Sequence, residues 1–343
     1  MRAVQLVSWQ ADPELRDVAV PEPGPGEVLV EVAGAGLCHS DLHLMEWPEG
    51  TFPWRLPFTL GHETAGTVAA LGRGAGGFAE GDRVLVYGPW GCGSCVHCVR
   101  GAENLCLHRF GRPGAGCGLG YDGGLADYVL VPSARLLVPL GDLDPVEAAP
   151  LTDAALTPYH ALKPELPRLV PGSSAVVIGV GGLGSVAVQL LRALSPARVV
   201  AIDLREASRA LALRFGAHVA LDARDLTPAD LREELGGGAT VVLDFVGNDE
   251  TLALAAGTIE IGGHVALVGL GGGSFPMTFG SVPLEWSLRR PSWGTLPELH
   301  EVVALARSRA LELAIERLSL DEAVDGYHRL HAGEFNGRAV VVP

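Results

Sequence analysis

The sequence predicts an α/β protein with two domains, a β-rich, barrel-like region followed by a doubly wound parallel sheet. The chain has 343 residues, which is more than one hydrophobic core usually serves. Its first part is rich in glycine and proline and carries short β-patterned runs, whereas apolar strands alternate with helical patterns from about Ser174 onward. With 48% hydrophobic and 19% charged residues, the chain can bury a large core.

The predicted strands and helices differ between these two regions of the chain. In the first region the β-patterned runs are residues 28–32, 64–70, 83–87 and 128–131. In the second, apolar runs at 175–178, 198–202, 219–221, 240–245 and 264–268 alternate with helical periodicity, clearest at 183–194 and 206–215. After Trp293 the pattern predicts helices at 297–309 and 321–331 and a final strand at 338–342.

Charge and hydropathy exclude several classes of function. Forty acidic residues against 25 basic ones give a net charge of -15, which repels nucleic-acid phosphates and anionic lipids. No run approaches the roughly 18 apolar residues of a membrane span, and the first residues resemble a strand rather than a signal peptide. We therefore expect a cytoplasmic protein whose partner is a small molecule, with no nucleic acid or membrane partner.

A glycine motif marks a nucleotide site. Gly179-Val180-Gly181-Gly182-Leu183-Gly184 follows the apolar run 175–178 and opens a helix, which is the context that a dinucleotide fingerprint requires. Gly179 permits a tight turn, Gly181 lets the backbone approach a pyrophosphate, and Gly184 lets the helix pack closely on the strand. The phosphates would lie at the helix N-terminus.

The choice of dinucleotide depends on Asp203, which ends the next predicted strand. A carboxylate about 20 residues beyond the motif hydrogen-bonds the adenosine ribose and repels a 2′-phosphate, so NAD is favoured over NADP. Arg205, two residues later, weakens this preference. The alternative for Asp203 is a solvated helix cap.

Four cysteines lie close together between residues 92 and 106. The spacing Cys92-x2-Cys95-x2-Cys98-x7-Cys106 supplies four thiolates in one loop, enough to close a tetrahedral zinc shell with no position left for water. A closed shell of this kind is structural. An iron–sulfur cluster is the alternative, but its bacterial pattern has a shorter last gap and a following proline. His97 lies in the same loop and could compete as a ligand.

Two further motifs each place a zinc ligand after a predicted strand: Cys38-His39-Ser40-Asp41-Leu42-His43 and Gly61-His62-Glu63. Taken with the four-cysteine loop, the glycine motif and the ending Gly337-Arg338-Ala339-Val340-Val341, they occur in one order and spacing over essentially the whole chain. This pattern resembles the zinc-dependent alcohol dehydrogenases of the medium-chain dehydrogenase/reductase superfamily, in particular bacterial members with an aspartate ligand.

The resemblance implies a domain arrangement and a catalytic zinc. Residues 1–153 would form a GroES-like β-barrel catalytic domain with a structural zinc lobe at about 90–107. Residues 154–293 would form the Rossmann NAD-binding domain, and 294–343 would complete the catalytic domain. Cys38 and His62 would be the first two ligands, with Asp41 orienting His62 and Glu63 as an alternate ligand.

The third ligand departs from the commonest family pattern, which has a cysteine in the segment leading into the Rossmann domain. This sequence has Asp153 at that place. A carboxylate is a legitimate zinc ligand, and we expect Asp153 or Glu63 to complete the shell. The alternative for Asp153 is a helix cap.

The resemblance also implies a mechanism and a set of cofactor contacts. Zinc would hold the alcohol as an alkoxide, NAD+ would accept the hydride, and Ser40 with His43 would relay the proton through the cofactor ribose toward solvent. Arg338 matches a residue that pairs with the pyrophosphate. The nicotinamide would meet Thr157, Phe245, Val246, Val268, Gly269 and Leu270, and the substrate pocket would include Trp54, Leu119 and Trp293.

The resulting hypothesis is an NAD-dependent enzyme with one catalytic and one structural zinc ion per subunit, assembled as a homotetramer. Bulky apolar walls favour alkyl or aryl alcohols, and the resemblance favours secondary ones. One alternative is a threonine or polyol dehydrogenase of the same superfamily. A second is a zinc-free quinone reductase, which the ligand motifs disfavour. A third is a nucleotide-binding zinc protein without catalysis.

Overall fold

The computed structural model describes residues 1–343 and divides them into two compact units. Unit 1 comprises Met1–Asp153, Thr295–Arg307 and Leu313–Pro343, and unit 2 comprises Ala154–Gly294 and Ser308–Glu312. The chain therefore leaves unit 1 after Asp153 and returns to it at Thr295, apart from the short segment 308–312.

Eighteen strands and nine α-helices make up the two units. The strands are β1 (Arg2–Leu6), β2 (Glu14–Asp17), β3 (Val28–Gly36), β4 (Phe58–Thr59), β5 (Glu63–Leu71), β6 (Arg83–Val86), β7 (Gly116–Cys117), β8 (Gly120–Tyr121), β9 (Tyr128–Val131), β10 (Leu137–Pro139), β11 (Ser174–Ile178), β12 (Arg198–Asp203), β13 (Val219–Asp222), β14 (Ala239–Asp244), β15 (Ile259–Leu267), β16 (Ser287–Arg289), β17 (Ile315–Ser319) and β18 (Arg338–Val342). The helices are α1 (His39–Glu46), α2 (Pro145–Ala148), α3 (Leu156–Leu162), α4 (Gly182–Leu194), α5 (Glu206–Arg214), α6 (Pro228–Leu235), α7 (Asp249–Thr258), α8 (Leu296–Arg307) and α9 (Ala323–His331). None of the helices combines the length and the apolar character that crossing a membrane requires.

Unit 1 is built around a seven-stranded sheet with the order β10-β6-β5-β3-β18-β17, in which β9 also pairs with β3. The C-terminal strand β18 runs antiparallel to β3, with Val340 opposite Gly36. This pairing places the end of the chain beside the segment that leads to Cys38. Residues more than 270 positions apart can therefore meet in one site.

Unit 2 is a six-stranded parallel sheet with the order β13-β12-β11-β14-β15-β16. Numbered within the unit, this is the 3-2-1-4-5-6 order of the doubly wound nucleotide-binding fold, and it confirms the predicted parallel sheet. The edge strand β16 was missed because it has only three residues. The core consists of apolar side chains from the central strands, such as Val176, Val200 and Val242.

Helix α3 of unit 2 is followed by the only lysine of the chain, Lys163. Its side chain is half-buried, and its Nζ lies 5.6 Å from the centre of the Tyr159 ring. At this distance the ammonium group is attracted by the face of the aromatic ring.

Candidate active site

Asp41 organises the metal-binding residues of unit 1 from a fully buried position. Its Oδ1 lies 3.0 Å from Nδ1 of His62, and its Oδ2 accepts hydrogen bonds from the Tyr327 hydroxyl at 2.9 Å and the Cys38 backbone at 3.3 Å. Because a carboxylate only accepts, His62 carries its proton on Nδ1 and can offer Nε2 to a metal. Burial lowers the pKa of His62, but Asp41 and Cys38 outweigh it and hold the pKa well above its ordinary value.

The side chains of Cys38, His62 and Asp153 meet in this buried region. Asp153 Oδ2 lies 3.5 Å from Cys38 Sγ and 3.5 Å from His62 Nε2. Tetrahedral zinc with ordinary bond lengths separates sulfur from oxygen by about 3.6 Å and nitrogen from oxygen by about 3.4 Å. The three atoms therefore fit zinc. Asp153 does not cap the next helix, α3, whose N-cap residue is Ala155.

Glu63 is the fourth residue of this cluster, in which all four ligand atoms lie within 4.8 Å of one another. The Arg338 guanidinium binds both of its carboxylate oxygens, with Nε 2.8 Å from Oε2, and also lies 3.8 Å from Asp153. A Cβ on Gly36 would overlap the Glu63 carboxylate, so a glycine is needed there. Burial raises the pKa of Glu63 to about 7, although Arg338 opposes the shift. The structure thus places Arg338, expected at the pyrophosphate, against Glu63.

Ser40 lies in the first turn of α1, directly after Cys38, and His43 lies in its last turn. The Ser40 Oγ lies 3.7 Å from Cys38 Sγ. The His43 side chain is 34% exposed, and its Nδ1 lies 3.9 Å from the Glu46 carboxylate. One group therefore touches the metal cluster and the other reaches solvent.

A glycine-rich loop connects the cluster to two of the expected substrate residues. A Cβ on Gly118 would come within 2.6 Å of Gly61, the residue before His62, and one on Gly120 within 2.8 Å of Trp54. Leu119 lies between these two contacts. The structure therefore places the loop that contains Leu119 against Trp54 in unit 1, while Trp293 lies in unit 2.

Trp54 belongs to an aromatic cluster. Its ring stacks on Phe52 with centroids 4.4 Å apart and meets the edge of Phe58 at 6.3 Å. Phe52 in turn contacts Trp47 at 4.7 Å. These rings form a bulky apolar surface.

The four cysteines of the 92–106 loop form a second metal cluster, and all are free thiols. Cys98 Sγ lies 3.9 Å from Cys92 Sγ and 3.5 Å from Cys95 Sγ, close to the roughly 3.8 Å edge of a tetrahedral zinc–sulfur site. Hydrogen bonds, chiefly from Ser94, lower the pKa of Cys92 to about 5. His97 is not among the clustered ligands. The lobe fits a closed, structural zinc ion.

The glycine motif of unit 2 meets the three conditions that its sequence suggested. Gly179 has φ +84°, and a Cβ on it would come within 2.7 Å of Val246. A Cβ on Gly184 would overlap the carbonyl of Gly179, so the start of α4 packs directly on the turn. Gly181, by contrast, faces open space, with no heavy atom within 4 Å. Its backbone, followed by Gly182 and Leu183 in the first turn of α4, is accessible to a phosphate.

Asp203 ends β12 beside this motif. Its Oδ2 accepts the N–H of Val180 at 2.7 Å, and its Oδ1 accepts the N–H of Arg205 at 2.8 Å. The carboxylate is therefore held by two backbone groups next to the glycine turn, where a ribose would follow the pyrophosphate.

Asp244 is a buried residue that the sequence interpretation missed. Its Oδ1 accepts the N–H groups of Val246 and Gly247 at 2.9 and 3.0 Å, and its carbonyl oxygen accepts those of Val268 and Gly269 at 2.8 and 3.0 Å. These hydrogen bonds thus join the ends of β14 and β15, which the sequence placed near the nicotinamide. Of the other expected contacts, Phe245 precedes this turn, Leu270 is exposed, and Thr157 is buried in α3.

Comparison with known proteins identifies the family. Residues 24–142 match the family model of the alcohol dehydrogenase GroES-like domain, and residues 182–308 match that of the zinc-binding dehydrogenases. An NAD-dependent alcohol dehydrogenase of Sulfurisphaera tokodaii is 34% identical over 100% of both chains. A D-arabinose 1-dehydrogenase (NADP(+)) of Saccharolobus solfataricus is 34% identical over 100% of this chain and 97% of its own.

Solved structures agree. The alcohol dehydrogenase of Aeropyrum pernix superposes with a TM-score of 0.91 and 35% identity over 100% of both chains. The acetophenone reductase of Geotrichum candidum, solved with NAD, gives 0.86 and 35% identity over 100% of this chain and 97% of that one. This chain belongs to the zinc-dependent alcohol dehydrogenases of the medium-chain dehydrogenase/reductase superfamily. The predicted family and fold class, a GroES-like domain with a Rossmann domain, are confirmed. It is an oxidoreductase whose cofactors are NAD and zinc, and its two donor sets fit one catalytic and one structural ion.

Proposed function

We propose that this enzyme interconverts apolar secondary alcohols and their ketones with NAD. The observation that carries the proposal is the buried Cys38–His62–Asp153 cluster, whose interatomic distances match tetrahedral zinc with three protein ligands. Three ligands leave one position for the substrate oxygen. Catalytic zinc sites differ from closed structural sites in this respect.

The cofactors supply Lewis acidity toward the alcohol oxygen, from zinc, and a hydride acceptor, from the nicotinamide ring. The residues of the chain orient the metal ligands and move the proton. Asp41 fixes the His62 ring through Nδ1, so that Nε2 faces the cluster. Ser40 Oγ would accept the alcohol proton while giving up its own hydroxyl proton, and the half-exposed His43 imidazole would exchange a proton with solvent at the outer end of the relay.

Arg338 and Glu63 complete the electrostatic environment of the cluster. The guanidinium binds the Glu63 carboxylate and lies near Asp153, so it balances part of the negative charge gathered by the ligands. Glu63 would serve as an alternate ligand when substrate and product exchange, and Arg338 lies 3.8 Å from Asp153 as well.

Apolar substrates are favoured by the surroundings of Trp54 and Leu119. The stacked rings of Trp54 and Phe52 lie beside the loop that packs on Gly61, next to the ligand His62. Aryl ketone reduction is the activity named for one structural neighbour, the acetophenone reductase. Both observations support alkyl or aryl substrates over polyols.

A second candidate is a dehydrogenase of sugars, polyols or threonine. It is favoured by the D-arabinose 1-dehydrogenase, which matches along the whole chain. The aromatic cluster offers few hydrogen-bonding partners for several hydroxyl groups. We therefore rank this candidate second.

The test measures NADH formation with ethanol, 2-butanol, 1-phenylethanol, sorbitol, D-arabinose and threonine, together with zinc content. We expect turnover of 2-butanol and 1-phenylethanol to exceed that of the other four. Faster turnover of sorbitol, D-arabinose or threonine would establish the second candidate instead. Zinc-loaded protein that binds NADH but turns over none of the six would indicate a non-catalytic role.

Three cysteine variants test which of the two metal clusters is catalytic. Cys38→Ala should lower kcat on the order of a thousandfold, with one zinc ion left and the fold intact. Cys98→Ala should remove the structural ion and destabilise the protein by about 4 kcal/mol or more. Cys117→Ala is the matched control, because Cys117 is buried outside both clusters and should keep both zinc ions and turnover. Retained activity in Cys38→Ala contradicts the assigned catalytic site.

Copies of this chain should assemble into dimers and then a homotetramer, in the cytoplasm. The edge strand β16 pairs on one side only. It carries the exposed Leu288, the segment before it carries the exposed Met277, Phe279 and Leu284, and its partner strand β15 carries the exposed Ile261. Such an edge favours association with a second copy. Light scattering should give a tetramer for the wild type and smaller species for Leu288→Glu.

The free thiols of all six cysteines agree with a reducing compartment such as the cytoplasm, and fractionation of the source cells tests this location.

A further inference from the structure

The edge strand β16 is attached to helix α3 through Arg289, the last residue of the strand. One nitrogen of its guanidinium, Nη2, donates to the carbonyl oxygens of His160 at 2.9 Å and Ala161 at 3.0 Å. Both carbonyls belong to the last turn of α3. Arg289 therefore reaches from the parallel sheet of unit 2 to the C-terminal end of a helix that lies 128 positions earlier in the chain.

The amino-acid sequence explains why the end of α3 needs this donor. The last carbonyls of an α-helix have no partner within the helix, and Pro164, which follows α3, has no N–H to offer them. In α-helical geometry residue 164 would donate to His160, and in the short 3₁₀ helix that follows, Lys163–Arg168, it would donate to Ala161. Arg289 supplies the donor that proline lacks, and its positive charge suits the C-terminal end of a helix dipole.

The segment after β16 packs on the same helix. A Cβ on Gly294 would come within 2.6 Å of the Leu156 side chain and 3.2 Å of the His160 side chain, so the backbone at residue 294 lies directly on α3. Such contacts matter because α3 has only seven residues, which are too few for a helix that is stable on its own. The position of α3 in unit 2 thus depends on Arg289 at its C-terminal end and on Gly294 along its side.

Helix α3 carries Thr157, which is buried and which we expect to meet the nicotinamide. We propose that Arg289 is a positioning residue for the cofactor: by holding the end of α3, it keeps Thr157 in place against the nicotinamide ring. The adenosine half of NAD is expected at the glycine motif and Asp203, so the loss of Arg289 should affect that half much less. The inference rests on the proposed function, which requires the nicotinamide to bind in unit 2.

Two probes separate positioning of the nicotinamide from a general loss of structure: NADH, and ADP-ribose, which lacks the nicotinamide. Calorimetry with the zinc-loaded enzyme measures the affinity for each. Arg289→Ala should weaken NADH about tenfold, because α3 loses two charge-assisted hydrogen bonds, and should leave ADP-ribose within about twofold. Arg289→Lys keeps a charged donor and should lose less. Equal weakening of both probes in Arg289→Ala, or unchanged binding of NADH, would overturn the proposal.

Arg232→Ala is the matched control. Arg232 lies in α6, and its guanidinium donates to two carbonyl oxygens at the end of α7, those of Gly257 and Ile259, both at 2.9 Å. It therefore makes the same kind of contact on a helix that carries none of the expected cofactor residues. This variant should bind NADH and ADP-ribose in the wild-type ratio. A selective tenfold loss of NADH affinity here would contradict the proposal, because any arginine at the end of a helix would then have the same effect.

Pro164→Ala offers a rescue. Alanine restores a backbone N–H at residue 164, which can donate to the end of α3 when the guanidinium is absent. The combined variant Pro164→Ala/Arg289→Ala should therefore regain most of the NADH affinity that Arg289→Ala loses. It also keeps the test valid if Arg289→Ala alone does not fold. A folded combined variant that still binds NADH tenfold more weakly than the wild type would contradict the role of Arg289 at the end of α3.

A double-mutant cycle with Thr157→Ala shows whether Arg289 acts through Thr157. If the two residues serve one contact with the nicotinamide, the combined variant Thr157→Ala/Arg289→Ala should bind NADH within about twofold of the weaker single variant. Fully additive losses would mean that Arg289 acts elsewhere, and the proposal would be wrong while the proposed function stands. A wild-type enzyme that binds neither NADH nor ADP-ribose would contradict the nucleotide site and this inference together.

Discussion

The Glu63–Arg338 pair of unit 1 and the Asp222–Arg224 pair of unit 2 join the same chemical groups, but their carboxyl pKa values move in opposite directions. Both partners of the first pair are buried, and burial raises the pKa of Glu63 to about 7 against the pull of Arg338. Asp222 is partly exposed, and hydrogen bonds from Arg224 lower its pKa to about 2. Burial, rather than the contact itself, decides the sign.

The difference corresponds to different tasks. A buried carboxylate whose pKa lies near neutrality can change its partner, because metal, substrate and arginine compete for it. An exposed aspartate that stays ionised is a fixed point that holds arginines in place. The first arrangement suits exchange at a metal, and the second suits a fixed structural contact at the surface.

The largest expected effect within this comparison of two ion pairs is the loss of stability in Arg338→Ala. Removing this guanidinium strands a buried carboxylate, which costs about 3–5 kcal/mol. Arg224→Ala in the exposed pair should cost much less, because solvent screens an exposed ion pair. Urea unfolding of the zinc-loaded variants measures both, and equal losses would break the comparison. Adding Glu63→Gln to Arg338→Ala should restore part of the stability.

Asp41→Asn tests whether Asp41 positions His62 in the buried site. It should lower zinc affinity or kcat by about 10–100-fold, because Asp41 orients His62 and raises its basicity. Tyr327→Phe, which removes a donor to the same carboxylate, should have a smaller effect. Chelator competition and turnover measure the two variants. Wild-type values for Asp41→Asn would contradict the positioning role.

The smallest effect is a pH dependence in the exposed pair. Because its folded-state pKa lies below the ordinary 3.8, Asp222 stabilises unit 2 above that pH, and the contribution is lost as the pH falls toward about 2. The difference in urea midpoint between wild type and Asp222→Asn should therefore be constant at neutral pH and shrink below about pH 4. A difference that grows on acidification would have the wrong sign.

Much of what could be predicted from the sequence came from the spacing of residues that lie close together in the chain. The four cysteines lie within one loop, and the glycine motif fixes its own turn, so neither needs distant contacts. The parallel sheet followed from the alternation of apolar runs and helical patterns. Cys38, His62 and Asp153 come from separate segments, and only the family resemblance predicted that they would meet.

The contacts that were missed join residues far apart in the chain. Tyr327 reaches Asp41 across 286 positions, and Arg338 reaches Glu63 across 275. No local pattern distinguishes such a tyrosine or arginine from an ordinary one on a helix or strand. The pairing of β18 with β3 brings Arg338 into place, and register of this kind cannot be read from short motifs.

The cation–aromatic contact of Lys163 with Tyr159 involves one of only two primary amines in the chain, the other being the amino terminus. Reagents that react with amines can therefore attach each polypeptide at no more than two points. Both amines are half-buried: Lys163 lies against a ring, and the Met1 amine donates to the Val18 carbonyl at 2.8 Å. The enzyme can thus be immobilised or labelled at very few defined positions without engineering a tag.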